Sequence, residues 1–369
     1  MLFKLEPRGD ASITMSYLSP VLAGILTLIT GGIFFASLGH NPIDALSIFL
    51  LSPVSDLYGV AELGVKAAPI MLCAIGLALT FKAQVWNIGA EGQLLMGGVL
   101  ASAIALALID VESWWVLPLV LLGGMVGGAG WGLLAAWLRN RFNANEILTT
   151  IMFNYIALYF LLYLIHGSLK DPDGYGFPES ALFSDSALMP IILQDTRLHL
   201  GIIFAVLAVV AAWVFISRSF LGFQIKVLGL DSNAAKLSGF KHKRLVVLVM
   251  MISGALAGLA GAGEVSGPIG QLIPSISPGY GYAAIIVAFL GRLNPIGIFF
   301  ASLLMALIYM GGEIAQIELK VPLAVTSLFQ GMLLFYLLAC DVFINFKVKF
   351  AGKKPADKMS VPTNTVVEK

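Results

Sequence analysis

The sequence predicts an all-α fold: a polytopic membrane protein with about ten transmembrane helices, some broken or short. Two observations carry this. Of the 369 residues, 59% are hydrophobic and 12% charged, with a mean hydropathy of +0.92; soluble domains carry about twice that charged fraction. Runs free of Asp, Glu, Lys and Arg also cover 11–43, 92–109, 113–138, 147–169, 198–217, 245–263, 265–291, 293–312 and 321–340, and a membrane helix needs roughly 20 mostly apolar residues.

In chain order the helices are expected near 17–39, 60–81, 85–109, 114–138, 146–166, 198–217, 245–264, 279–291, 295–312 and 321–343. The eighth is short for a crossing and is flanked by PGYG (278–281) and GRLNP (291–295). Segment 1–16 is an N-terminal cytoplasmic extension, 17–345 the transmembrane domain with a loop at 218–244, and 346–369 a polar, disordered cytoplasmic tail. Cys73 and Cys340 lie in apolar segments, where a thiol acts as a small hydrophobe, so no disulfide is expected. The first apolar stretch is too long for a signal core.

The loops sort by charge. Asp44, Asp56 and Glu62 lie in 40–62, Asp110 and Glu112 follow the third helix, and 166–197 holds five acids against Lys170 and Arg197. By contrast, Arg139 and Arg141 follow the fourth helix. Arg218, Lys226, Lys236, Lys241, Lys243 and Arg244 crowd the loop after the sixth, and Lys347, Lys349, Lys353 and Lys354 follow the last. Lys and Arg mark the cytoplasmic side, which places both termini inside and implies an even number of crossings. The outer loop 166–197, with its KDPDGYGFPES, reads as a solvated connector or as a docking surface for an external partner.

Polar residues interrupt the apolar pattern at VWNIGAEGQLLMGG, 85–98. Trp86, Asn87, Glu91 and Gln93 stand there with glycines at 89, 92, 97 and 98. An ionisable side chain at membrane depth costs about 2.5–3.5 kcal/mol on insertion scales and usually faces a cavity or a partner. Two compatible readings exist for Glu91. It is a first-turn acid complementing the dipole of a helix beginning near Ala90, or it marks a broken helix lining a polar path. Asn154, Glu264 and Gln271 are the other candidates for that path. The segments 81–98 and 278–297 fall in the two halves of the chain, as paired interrupted helices do in transporters. GGMVGGAGWG (123–132) and SGALAGLAGAG (253–263) place small residues four apart, which lets helices approach closely.

No P-loop motif occurs, nor an H-E-x-x-H, a Cys/His cluster or a G-x-S-x-G elbow. The chain reads as a non-enzyme with no catalytic residue, no metal site and no cofactor of its own. Nothing supports nucleic-acid binding.

The loop GFQIKVLGLDSNAAKLSGFKHKR, 222–244, encodes a short helix. Asp231 or Ser232 is its N-cap, Ala234, Ala235 and Leu237 lie within it, and Gly239 stops it after Ser238. The order LG-xxxx-AA-xx-SG, followed by SGALAGLAGAGEVSG, resembles the permease subunits of ABC importers. Within them it resembles the branched-chain amino acid/simple sugar permease family, and most closely its nucleoside and simple-sugar group that works with Bmp-type lipoproteins. FKAQVWNIGAEGQLLMGG, NEILTTIMFNYIA and GYGYAAIIVAFLGRLNPIGI are similar to the same group, and the resemblance covers about 60 to 340.

The resemblance implies an ABC ATPase subunit that binds the ATP, a second homologous permease, and a periplasmic or lipid-anchored substrate-binding protein, in a bacterial cytoplasmic (inner) membrane. It makes Asp231, Ser232, Ala234, Ala235, Leu237, Ser238 and Gly239 a coupling helix seated in the ATPase. The substrate would be a nucleoside, purine first, or a simple sugar, with Asn87, Gln93 and Asn154 as contacts. The Asn-Ala-Asn-Glu start of the fifth helix departs from the pattern. Two rival readings are an ion-coupled secondary transporter using Glu91 and a membrane scaffold that transports nothing.

Overall fold

Asn or Asp caps set the starts of several helices. In the computed structural model, which describes residues 3–7, 13–174 and 176–350, the chain runs as β1 (Phe3–Pro7), α1 (Ile13–Ser37), α2 (Pro42–Leu50), α3 (Leu57–Lys82), α4 (Ala90–Ala107), α5 (Val116–Phe142), α6 (Glu146–His166), α7 (Gly201–Arg218), α8 (Phe220–Leu230), α9 (Ser232–Leu237), α10 (His242–Glu264), α11 (Tyr280–Leu290), α12 (Pro295–Glu318), α13 (Ala324–Asn345) and β2 (Phe346–Phe350). Asn41 accepts a hydrogen bond from the Ile43 amide ahead of α2, Asp56 from Gly59 ahead of α3, Asn145 from Ile147 ahead of α6 and Asn294 from Ile296 ahead of α12. Each cap satisfies an amide that the helix itself leaves unbonded. Pro42 and Pro295 sit at first helical positions, where no amide is missed.

The Asn-Ala-Asn-Glu segment is a corner between two helices. Asn143 takes a left-handed conformation (φ 57°) and donates its amide to the Arg139 carbonyl, closing α5. Asn145 then caps α6, and Glu146 pairs with Arg139 at 3.1 Å.

Among the described residues, nine helices are long and apolar enough to cross a membrane. The eighth expected helix, read as short for a crossing, is α11, whose 11 residues cannot span alone. Two short helices were not foreseen. α2 lies where a loop was expected, and α8 occupies the first part of the basic loop. The third predicted helix begins only at Ala90, since residues 83–89 are non-helical and Gln84 sits at φ 54°.

The chain divides into two compact units. In Gly31–Gly331, α10 packs on α3, α4 and α5. The α5–α10 seam is made by Gly124 and Gly128 against Gly254 and Gly258. A Cβ at Gly258 would collide with the Gly124 carbonyl, and one at Gly128 with the Gly254 carbonyl. The small-residue spacing read from the sequence therefore does bring backbones together. Gly123 and Gly127 face α4 instead, at Ile104 and Met96.

The other unit comprises the chain up to Thr30 and from Met332 onward. Within it, Ser19 donates to Asp341 and Thr30 contacts Met332. β1 pairs antiparallel with β2, Phe3 opposite Phe350 and Pro7 opposite Phe346. A disordered tail was expected from 346; Phe346–Phe350 instead form this strand, and 351–369 lie outside the described residues.

Candidate translocation and docking sites

The polar residues of the broken segment bind one another. After Lys82 the chain turns back along the core before α4 begins. Asn87 is fully buried and Gln93 nearly so. Asn87 Nδ2 donates to Gln93 Oε1 and to Ser253 Oγ, both at 3.1 Å, and Ser253 lies midway along α10. Asn87 Oδ1 accepts from the Gly89 amide (2.9 Å) and from Gln93 Nε2 (3.2 Å). Asn154, on α6, ties down both sides of the break. Its Oδ1 accepts from the Gly92 amide, and its Nδ2 donates to the Ile88 carbonyl and the Tyr282 hydroxyl. Thr150 Oγ1 accepts from the Ile88 amide. Amides left unpaired by the missing helix turns are thus satisfied by side chains, as burial away from water demands.

Glu91 serves two helices. It stands in the first turn of α4, and its Oε2 accepts from the Gly281 amide (2.7 Å) in the first turn of α11. The two helix starts touch: a Cβ on Gly281 would meet the Glu91 backbone. One carboxylate therefore faces two positive helix ends, which stabilise it by about 1 kcal/mol in a partly buried setting. This is the capping reading of Glu91, extended to a second helix that the sequence did not reveal. From that junction α11 runs toward the basic loop. Its Phe289 stacks on Phe81 (5.2 Å) and lies near Trp86, and Gly291 abuts Gly297 of α12.

The candidate path residues are thus divided. Asn87, Glu91, Gln93 and Asn154 form one buried cluster, whereas Trp86 is partly exposed at its edge. Glu264 and Gln271 lie apart from them. Glu264 is buried at the end of α10 beside a small void of about 10 Å3 that it lines with His199 and Met189. Gln271 donates to Glu179 (3.1 Å), a residue of the acidic loop.

That loop is largely solvent-facing but anchored in its second half. Its Ser180, Phe183 and Met189 amides donate to Leu272, Gly270 and Ser266, pinning it to the segment after α10. Arg197 makes a two-pronged pair with Glu62. Burial works against the Arg197 cation, but Glu62 and Tyr58 outweigh it and hold the guanidinium above its ordinary value. Lys66 pairs with Glu313 at 2.9 Å. Between these pairs opens a cleft of about 320 Å3, lined by Asp56, Tyr58, Glu62, Arg197 and Glu313. His199 is buried, its Nδ1 accepting from the Gly201 amide (3.1 Å), and burial lowers its pKa to about 4.

At the other end, α9 forms where the sequence placed it. Asp231 Oδ1 accepts from the Asn233 amide (2.7 Å), so Asp231 is the N-cap, and Ser232 is the first helical residue. Gly239 sits at φ 78° after the last turn, the left-handed stop that glycine tolerates. The helix has two faces. Ala235 is fully buried in a cluster with Ala83, Val85, Ile225, Leu228 and Val246. It belongs to the inner face, which corrects its place among residues expected to meet a partner. Ala234, Ser238 and Leu237 point outward, and Leu237 is 91% exposed. Leu230 beside it is 88% exposed, and Phe220, Phe223 and Phe240 form an aromatic cluster alongside.

Sequence reading missed Thr150, Ser253 and Gly281, although each lies inside a quoted motif. Periodicity cannot tell which polar residue of an apolar helix answers a break elsewhere in the chain.

Residues 59–338 match the family described as branched-chain amino acid transport system / permease component. A glucose ABC transporter permease protein of Haloferax volcanii is 32% identical over 94% of this chain and 94% of its own. A guanosine ABC transporter permease protein of Bacillus subtilis is 32% identical over 92% of this chain and 98% of its own. A nucleoside ABC transporter permease protein of Lactococcus lactis is 31% identical over 81% and 84%.

Proposed function

The chain belongs to the branched-chain amino acid transport system permease family, as a multi-pass permease subunit of an ABC transporter, and on that premise we propose that it imports a nucleoside or a simple sugar. The substrate class rests on the glucose, guanosine and nucleoside permeases it resembles. ATP binds to a separate ATPase, so the permease needs no cofactor, and a second homologous permease completes the path. A periplasmic or lipid-anchored binding protein delivers substrate at the acidic end, where loop 166–197 is pinned rather than free. The membrane is the cytoplasmic one, with both termini on its inner side. The pairing of β1 with β2, which joins Phe3–Pro7 to Phe346–Phe350, supports those two segments lying on one side.

One observation carries the coupling role: Leu237 on the short capped helix α9 and Leu230 at the end of α8 stand almost wholly exposed among basic residues. An apolar knob held out by a rigid turn is the anchor an interface uses. Closure of the ATPase pushes α9, and the buried Ala235 face transmits the push to α3 and α10 through the cluster around Val85 and Val246. The test is Leu237→Asp. The variant should insert normally, lose the ATPase on purification in mild detergent, and lose ATP-dependent uptake. Retained ATPase and unchanged uptake would remove α9 from the coupling role. Ala235→Arg is the poorer probe, because it drives a charge into packed side chains.

The ion-coupled alternative needs Glu91 free to take a cation. Its bond to the Gly281 amide gives the carboxylate a structural task, so that reading has lost its main support.

A further inference from the structure

Three tyrosines recur at helical spacing on the outward face of α6: Tyr155, Tyr159 and Tyr163 are 53%, 66% and 73% exposed. Residues four apart on a helix share one face, so the three hydroxyls form a column. Tyr163 lies in the last turn of α6, where an aromatic belt residue meets the membrane–water interface. Tyr155 lies at the middle of a helix that is apolar and long enough to cross. There a hydroxyl against lipid would have no partner, and no hydrogen bond joins it to a described residue. The column continues onto polar ground. Tyr282, 43% exposed at the start of α11, lies within electrostatic reach of Tyr155 and accepts from Asn154. Asn154 also holds the Ile88 carbonyl, two residues from the partly exposed Trp86.

We propose that Tyr155 and Tyr159, with Tyr282 and Trp86, form the wall along which the substrate crosses. This deepens the importer reading and rests on it. The wall offers flat aromatic faces and phenolic hydroxyls and bears no charge. Its ligand is an uncharged, hydroxyl-rich molecule with a flat or apolar face, a description that fits a nucleoside or a hexose and excludes an ion. Aromatic rings stack on such faces while hydroxyls exchange hydrogen bonds with the sugar. The buried Asn87–Gln93–Asn154 cluster supports the wall from behind and does not touch the substrate.

The test is water access at mid-helix in the full transporter complex. On a chain with Cys73 and Cys340 replaced by Ala, single cysteines at Tyr155 and at Val206, an exposed apolar position on α7, are treated with a membrane-impermeant thiol reagent. Tyr155→Cys should react at least about tenfold faster, because only a thiol in water ionises and attacks. Saturating guanosine or glucose should slow it, and whichever protects names the ligand class. Equal, slow labelling at both positions would overturn the wall. Fast labelling that neither compound slows would overturn its ligand chemistry. Tyr155→Phe, which keeps the ring, should raise the half-saturating substrate concentration about fivefold through loss of one hydrogen bond; an unchanged value would also count against it. ATP-dependent uptake measured on the unaltered complex judges the importer reading separately.

Discussion

The break at 83–98 and the loop at 218–244 invert each other's chemistry. The break carries polar side chains into an apolar interior and bonds each to a neighbour, Asn87 to Gln93 and Ser253 and Glu91 to Gly281, while Asn154 of α6 holds its Gly92 amide and Ile88 carbonyl. The loop carries apolar side chains into polar surroundings and leaves Leu230 and Leu237 bare. A buried polar group that has found its partners is part of the scaffold. A large apolar group held in the open by a capped helix awaits a partner. Stability should therefore depend on the first region and coupling on the second.

The comparison breaks most easily at Leu237. Leu237→Asp should abolish uptake while leaving the unfolding midpoint of the purified permease in place; a lowered midpoint would mean that the loop is structural after all. The reverse is expected of Asn87→Ala, which strips partners from Gln93, Ser253 and the Gly89 amide at once. Leaving such groups buried and unpaired should cost about 3 kcal/mol, read as lost resistance to denaturant in detergent.

A smaller effect should appear at the acidic end. His199 is neutral in the folded chain because burial lowers its pKa from 6.5 to about 4. Between those values the unfolded chain binds the proton more readily, so stability falls as pH falls through that window. From pH 7.5 to 5 the loss should be about 2 kcal/mol. His199→Asn keeps an acceptor for the Gly201 amide and should flatten the slope; an unchanged slope would assign it to other groups. The mildest change is Glu91→Gln. It still accepts from Gly281 and gives up the charge facing two helix starts, about 1 kcal/mol. Uptake should stay ATP-driven and indifferent to an imposed proton or sodium gradient, whereas loss of a gradient dependence on substitution would revive the ion-coupled reading.

Much of this was legible in order along the chain. Apolar run length gave the spans, since a helix must cross the bilayer with its backbone satisfied. Asp231 and Gly239 bracketed α9 because capping and left-handed stops are properties of single residues. The glycine spacing gave the α5–α10 seam for the same reason. The short eighth helix was legible too, because the apolar stretch between PGYG and GRLNP is too brief to cross alone.

The sequence by itself determined that the chain lives in a membrane, roughly where its long helices run, and which residues are out of character with lipid. Only the tertiary structure decided what those residues do. Glu91 meets Gly281 across 190 positions of chain, and Ala235 and Leu237, two apart, face opposite ways. Caps and spans are local and follow from neighbours along the chain. The partner of a buried polar group is chosen by which helices pack together, and that depends on all of them at once.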